Sequence, residues 1–272
     1  MTELSGDGAM SLGNRLRWLV ENAARNVTGC FTGLTVERVA ANAQTHERAR
    51  TWHGSPSRLV SDQVIEQELG MLSVRPIEIL DVGCGSGLAR RHFAAAGLSG
   101  AYLGIDIDDR FDRDADFADL DSRFEKGDAH SVELGNPDLV FSFSALEHIP
   151  RDTALLARLR EAMKPGGMQV HVVPGGWALL AYLWHGYRHY HRSALKARFP
   201  MDHTRIIAVG GPGSLVLHTL VIAVPEILLH INLRKRWPVL FGRLTVLALA
   251  VDRLLPIMPT SYVVIERAGG TP

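Results

Sequence analysis

Glu78-Ile79-Leu80-Asp81-Val82-Gly83-Cys84-Gly85-Ser86-Gly87 is the stretch on which the reading of this chain rests. A short apolar run, Ile77 to Val82, ends in three alternating glycines, and a helical pattern follows from Gly87 to Ala96. An apolar run of this length closed by glycine predicts a buried strand. Glycine lets a backbone take positive φ and lets a ligand come close to the main chain. A helix that opens there presents free N–H groups and the positive end of its dipole. The spacing is G-x-G-x-G. A dinucleotide fingerprint would need its third glycine at Arg90 counted from Gly85, or at Leu88 counted from Gly83. Neither is glycine, which weighs against a nicotinamide or flavin cofactor.

Downstream, further strands are predicted at Ala101 to Asp106, Phe124 to Asp128, Asp138 to Phe143 and Met168 to Val173. A helix is predicted from Thr153 to Met163, closed by Lys164-Pro165-Gly166-Gly167. Strands alternating with helices predict a parallel sheet covered on both faces, with right-handed crossovers. Asp106 ends the second strand about 20 residues after the glycine turn, where an acid can accept from both hydroxyls of a ribose; Asp108 is the substitute. In Gly127-Asp128-Ala129 the carboxylate can accept from an exocyclic adenine amine while neighbouring amides meet the ring edge. The fourth strand runs on into Ser144-Ala145-Leu146-Glu147-His148-Ile149-Pro150.

Together these residues resemble the class I S-adenosylmethionine-dependent methyltransferases, and among them the type 11-like small-molecule subgroup. Asp81 to Gly87 is similar to the family's first motif, Gly104-Ile105-Asp106 to its ribose motif, and Gly127-Asp128-Ala129 to its adenine-side motif. Asp138 to Pro150 is similar to the strand-four motif and its loop, and Leu155 to Gly167 to the helix and turn before strand five. The resemblance spans roughly residues 76–174, with its motifs in order at plausible spacing. It implies a doubly wound α/β fold, Rossmann-like, with a mostly parallel seven-stranded sheet and one antiparallel strand, for which Tyr262 to Glu266 is available. It implies S-adenosylmethionine as cofactor, held by Asp81, Gly83, Cys84, Gly85, Gly87, Asp106, Ile107, Asp128, Ala129 and Ser142.

Residues 1–75 read as an N-terminal helical cover or lid, with helices at Leu12 to Val27, Thr35 to Arg50 and Ser61 to Leu72, the last capped by Ser61 or Asp62. The methyltransferase domain then runs over 76–272, with 176–260 as an acceptor-side insertion carrying apolar helices. Lys plus Arg is 29 and Asp plus Glu is 29. That balance argues against a nucleic-acid acceptor, whose backbone calls for a basic surface. A hydrophobic share of 46% over 272 residues supports a real core and excludes wholesale disorder. Cys30 and Cys84 cannot build a disulfide framework, and no Cys/His spacing suggests zinc. Cys84 reads as a small buried filler rather than a nucleophile. The N-terminus lacks the basic start and apolar run of a signal peptide, so a reducing, cytoplasmic setting is expected.

Ser214 to Leu229 and Val239 to Leu255 are strongly apolar, separated by Arg234-Lys235-Arg236. Pro225, Glu226, Arg243 and Asp252 interrupt them, so neither reads as a membrane span. Buried core helices are expected; peripheral contact with the inner membrane surface is the competing reading.

For chemistry on the acceptor, four residues stand out. His148 can deprotonate a hydroxyl, because an imidazole titrates near neutral pH. His185, Tyr187 and His189 lie in Trp184 to His191, after strand five, where an open parallel sheet places its ligands. A polar cluster tying down a lid is the competing reading of that loop. His185 and His189 are four apart, but no carboxylate nearby completes a metal set, and no metal is expected. The expected activity is methyl transfer to a hydroxyl or carbon of a small or lipid-linked molecule. A non-catalytic binding or scaffold protein of the same fold is the alternative. Oligomeric state is not legible.

Overall fold

A computed structural model of the chain describes residues 4–29, 33–72, 76–115, 117 and 119–268. Cys30 lies outside them. In chain order the elements are α1 (Leu12–Gly29), β1 (Glu37–Arg38), α2 (Ala43–Ala49), α3 (Pro56–Leu69), β2 (Ile77–Val82), α4 (Arg90–Ala95), β3 (Gly100–Asp106), β4 (Leu120–Lys126) and β5 (Leu139–Phe143). Then come α5 (Asp152–Ala162), β6 (Met168–Pro174), α6 (Arg192–Arg198), β7 (Thr204–Val209), α7 (Pro212–Leu217), α8 (Val224–Leu228), α9 (Leu233–Arg236), α10 (Pro238–Leu254) and β8 (Ser261–Arg267). A π-helical turn, His218–Ala223, joins α7 to α8.

The strands form an eight-stranded sheet in the order β1-β7-β8-β6-β5-β2-β3-β4. The expected seventh-strand count is thus exceeded by one. The additional strand is β1, a two-residue edge piece parallel to β7, inside the stretch 35–50 that helical spacing assigned to one helix. Asn42 stops that helix from starting earlier, since its side chain caps α2 by accepting from the Thr45 amide at 2.8 Å. The third N-terminal helix also begins sooner than expected, at Pro56, so Ser61 and Asp62 sit buried within it rather than at its cap.

The chain divides into two compact units. The first comprises Met1–Val64, Pro174–Ala194 and Ile206–Val263; the second comprises Ile65–Val173, Leu195–Arg205 and Val264–Pro272. In the second, β2 pairs in parallel with β3 on one side and β5 on the other, β3 pairs with β4, and β5 with β6. All seven residues of β6 are buried, as expected of a strand covered on both faces. β4 alternates buried and exposed residues because it is the edge strand. It begins at Leu120, four residues before the expected Phe124. Phe93 of α4 packs edge-on against Phe141 at 5.2 Å and tilts over Tyr102 at 6.1 Å. Chain order reverses between β2 and β5, and in such sheets a ligand sits beyond the carboxyl ends of the strands at that point.

In the first unit, Trp18 of α1 is buried and its indole N–H donates to the Gly186 carbonyl at 3.1 Å. Leu217, Ile222, Phe241 and Ala248 form a small apolar core with Val221 and Leu244 packed against it. Asp252 of α10 accepts from the Ser214 amide at 3.1 Å and from the Ser214 hydroxyl, closing the first turn of α7.

Candidate active site

The glycine turn begins where β2 stops. Gly83 and Cys84 both donate their amides to the Ile105 carbonyl, at 2.8 and 3.1 Å, and Gly87 donates back to Cys84 at 2.8 Å. Gly83, Gly85 and Gly87 have φ of 70°, 56° and 78°, a region L-residues with a Cβ enter only under strain. Their surroundings differ. A Cβ on Gly83 would stand 2.4 Å from that of Ala145, and one on Gly87 would stand 2.6 Å from the Phe124 ring. A Cβ on Gly85 would meet nothing within 4 Å. Two of the glycines therefore serve internal packing, and the middle one faces open space. The helix does not begin at Gly87 as expected; residues 83–89 are turn, and α4 starts at Arg90.

Asp106 ends β3 beside this turn and is buried. Its Oδ2 accepts from the Gly85 amide at 2.7 Å and its Oδ1 from the Asp108 amide at 3.0 Å. The carboxylate is thereby locked in orientation, while each oxygen keeps acceptor capacity. Asp108 is exposed, and Arg110 reaches its Oδ2 at 3.4 Å. Ile107 is 75% exposed next to this acid.

Arg90, noted in the sequence only as a non-glycine, is fully buried behind the turn. Its guanidinium donates to the carbonyls of Gly87 (3.0 Å), Asp112 (2.6 Å) and Ala115 (3.3 Å). It also lies over the rings of Phe117 and Phe124, each at 4.8 Å, and of Tyr102 at 5.7 Å. One side chain thus fastens the 112–115 segment to the glycine turn. The aromatic residues following Arg90 were the available signal. Asp81, also buried, accepts from the Tyr102 hydroxyl at 2.8 Å. Burial pushes its carboxyl up to about 7. The Tyr102 hydrogen bond and Arg90 oppose that rise, and the charge of Asp106 adds to it. Asp81 is a structural neighbour of the turn in this arrangement. Burial, then the charges of Asp81 and Asp106, push the Cys84 thiol far up, so it stays a thiol and is unsuited to nucleophilic attack.

Asp128 follows β4 and is exposed. Its Oδ1 accepts from the His130 amide at 2.9 Å, and its own carbonyl accepts from Ser131 and Val132. Ala129 is buried, with its carbonyl held by Arg158 at 2.5 Å. Ser142 of β5 faces elsewhere: its hydroxyl bonds to His171 Nδ1 at 2.8 Å, and His171 Nε2 meets Gln169 Oε1 at 2.9 Å. Burial, with Arg160 adding to it, drives His171 down to about 3, so the ring is neutral. His148 closes a 3-10 turn, Leu146–His148, on the loop after β5. It is half-buried, with Nε2 3.9 Å from Oε1 of the buried Glu147.

His185, Tyr187 and His189 belong to the first unit. Their segment is irregular rather than helical, so the i, i+4 spacing does not place the two histidines on one helix face. His185 stacks on Tyr182 at 5.3 Å; His189 is buried and meets Trp18 edge-on at 6.0 Å. Arg188 lies over the Tyr187 ring at 5.5 Å. Gly186 anchors the segment, donating to Asp7 Oδ1 at 3.0 Å and accepting from Gly6 at 2.6 Å.

Residues 80–169 match the family described as a methyltransferase domain. Trans-aconitate 2-methyltransferase of Deinococcus radiodurans is 35% identical over 98 residues, which are 36% of this chain and 38% of the relative. Ubiquinone biosynthesis O-methyltransferase of Paraburkholderia xenovorans is 32% identical over 96 residues, 33% of this chain and 40% of that protein. The chain therefore spans well under half the length of these curated relatives. Among solved structures, the (4+2)-cyclase SpnF covers 94% of this chain and 95% of its own at a TM-score of 0.53 and 15% identity. Phosphoethanolamine N-methyltransferase 2 of Haemonchus contortus covers 84% of this chain and 57% of its own at 0.52 and 15%. At such identities the likeness shows the fold alone. The matched segment contains the glycine turn, Asp106, Asp128 and Ser142, and with it this chain is placed among the class I S-adenosylmethionine-dependent methyltransferases of the type 11-like group.

Proposed function

We propose that the protein transfers a methyl group from S-adenosylmethionine to a hydroxyl or carbon of a small or lipid-linked molecule. One observation carries this reading: the open space over Gly85, beside the fixed carboxylate of Asp106. In this reading Asp106 takes the ribose hydroxyls and Asp128, with Oδ1 already engaged, turns Oδ2 to the adenine amine. The apolar Ile107 and Ala129 border the ring between them. The bound cofactor supplies an activated methyl on a sulfonium. What remains for the protein is to hold the acceptor in line, exclude water and take a proton where the acceptor is a hydroxyl. His148 is the proposed base, and His185, Tyr187 and His189 are proposed to act on the acceptor. The relatives' names include O-methyl transfer, which supports an oxygen acceptor.

Calorimetric titration with S-adenosylmethionine and with NAD tests the cofactor. Affinity in the micromolar range, ~7–8 kcal/mol, is expected for the former. Binding of NAD instead would overturn the reading. Transfer of labelled methyl groups into fractionated cell extract then tests the activity. The second reading is a protein that binds the cofactor without transferring methyl groups. It is favoured by the fold neighbour named as a cyclase, since one fold hosts many functions. Tight cofactor binding with no labelled product in any fraction would establish it.

A further inference from the structure

The helices of the first unit show apolar side chains where a water-facing surface carries polar ones. On α10, Phe241, Gly242, Thr245, Ala248 and Leu249 face inward. Its other side carries Val239, Leu240, Leu247 and Leu254, exposed by 66, 51, 59 and 79%. The helix is apolar all round yet covered on one side only. The continuous helix from α7 through the π turn to α8 repeats the pattern: Leu215, Leu217 and Ile222 are buried, and Val216, Leu220, Val224 and Ile227 are exposed. These helices share the core of Leu217, Ile222, Phe241 and Ala248, so the two exposed stripes belong to one packed element. Contiguous apolar surface of this kind marks an interaction face.

Charge identifies the partner. Arg234 is bound to Glu226 Oε1 at 2.5 Å and to the His53 carbonyl at 2.8 Å. Lys235, Arg236 and Arg243 are exposed, and among the described residues none is paired with a carboxylate. The acids of this region are engaged elsewhere, Glu226 by Arg234 and Asp252 by Ser214. Arg236 lies over the Trp237 ring at 5.7 Å. Arg236, Trp237, Pro238, Val239, Leu240 and Arg243 line one concavity of about 520 Å³. A second copy of this chain would bring cations to cations across such a patch. An anionic bilayer supplies phosphate for the cations, an interfacial layer for the indole and an apolar layer beneath.

We propose that this face docks the protein peripherally on an anionic phospholipid bilayer. Lys235, Arg236 and Arg243 engage headgroup phosphates, and Trp237, Val239 and Leu240 enter the interfacial layer. No described helix is long and apolar enough to cross a membrane, so the contact is with the surface. Docking would deliver the lipid-linked acceptor of the proposed methyl transfer, on which that last link rests; the docking itself stands on the observations above.

Co-sedimentation of the full chain with phosphatidylcholine vesicles, with and without phosphatidylglycerol, tests this. Pelleting with the phosphatidylglycerol vesicles at low salt, falling as salt rises, is expected. Changing Lys235, Arg236 and Arg243 together to Ala should lower the partition coefficient roughly 100-fold, about fivefold per cation. Val239→Asn with Leu240→Asn should lower it about tenfold or more. Calorimetry with S-adenosylmethionine on the same variants should show unchanged affinity, which separates failure of docking from failure of the methyltransferase reading. A chain that stays in the supernatant at low salt overturns the proposal. So does pelleting that neither set of substitutions weakens, or a dimer in sedimentation velocity that Val239→Asn dissociates.

Discussion

The glycine turn and the α7–α10 helices relate residue order to surroundings in opposite ways. At the turn, the three glycines, Asp81 and Asp106 lie within 26 residues, and their geometry follows from short-range backbone constraints. Positive φ at Gly83, Gly85 and Gly87 and the amides bonded to Ile105 follow from a strand ending in a tight turn. In the helices, neighbouring apolar residues such as Leu247 and Ala248 are alike in type, and one is exposed while the other is buried. Local sequence decides backbone shape; which apolar face finds a partner is decided by the rest of the fold.

The sharpest break in that comparison should come from Gly83 and Gly85. Gly83→Val forces a branched side chain into Ala145 and should cost about 4 kcal/mol or more, read as lost folding in thermal melts. Gly85→Val meets no protein atom, so only the strain of its backbone, about 1–2 kcal/mol, should fall on stability. Its cofactor affinity should vanish. Wild-type cofactor binding by Gly85→Val would remove the turn from the site.

The helices offer the matching pair. Ala248→Gln puts a polar side chain into the small core and should destabilise by about 2–4 kcal/mol in urea titrations. Leu247→Gln should stay within about 0.5 kcal/mol of wild type. Equal costs would mean that the outer face of α10 is covered after all.

Asp106→Ala should weaken S-adenosylmethionine binding by about 1.5–3 kcal/mol in calorimetry, because two hydroxyls lose an ionised acceptor. It also strips partners from the Gly85 and Asp108 amides, so Asp106→Asn is the companion that keeps one acceptor oxygen. An affinity unchanged in both variants would refute the ribose assignment.

The smallest effects are in pH dependence. Asp81 is held at about 7 when folded against about 4 when unfolded, so the folded chain binds a proton that the unfolded one has lost. Its contribution therefore falls as pH rises across that window. His171 has the opposite sign: at about 3 folded against 6.5 unfolded, it lowers stability as pH drops below 6.5. The two slopes oppose each other between about pH 4 and 6.5. Asp81→Asn should expose the His171 slope, with stability climbing toward neutral pH by at most ~1.4 kcal/mol per pH unit. His171→Gln should expose the reverse. A flat profile in both variants would contradict these assignments.

What the sequence revealed follows the same divide. β2 is found at Ile77–Val82 as expected, and Asp106 lies beside the turn, because strand ends and glycines are local signals. Residues 35–50 were misassigned because a two-residue edge strand leaves no periodicity to detect. β7 was not foreseen: Ile206 to Val209 is a short apolar run after a charged start, and it needs its place beside β1 and β8 to be a strand. β4 begins with Leu120-Asp121-Ser122-Arg123, whose polarity suits an edge and hides a strand. The direction of Ser142 toward His171, and the clasp of Arg90, depend on residues 22 to 29 positions away that no spacing rule connects.

The π turn at His218–Ala223 bears on how this chain can change over time. Such a turn holds one more residue than the α-helical turn it replaces. Losing a single residue there would restore an ordinary helix and rotate everything beyond it by about 100° relative to what comes before. Val224 and Ile227 would then leave the side on which Val216 and Leu220 stand. Substitutions in this stretch can be absorbed one at a time, whereas one deletion would rewrite the whole outer stripe. Insertions and deletions should therefore be rarer here than the loop-like polarity of its flanks suggests.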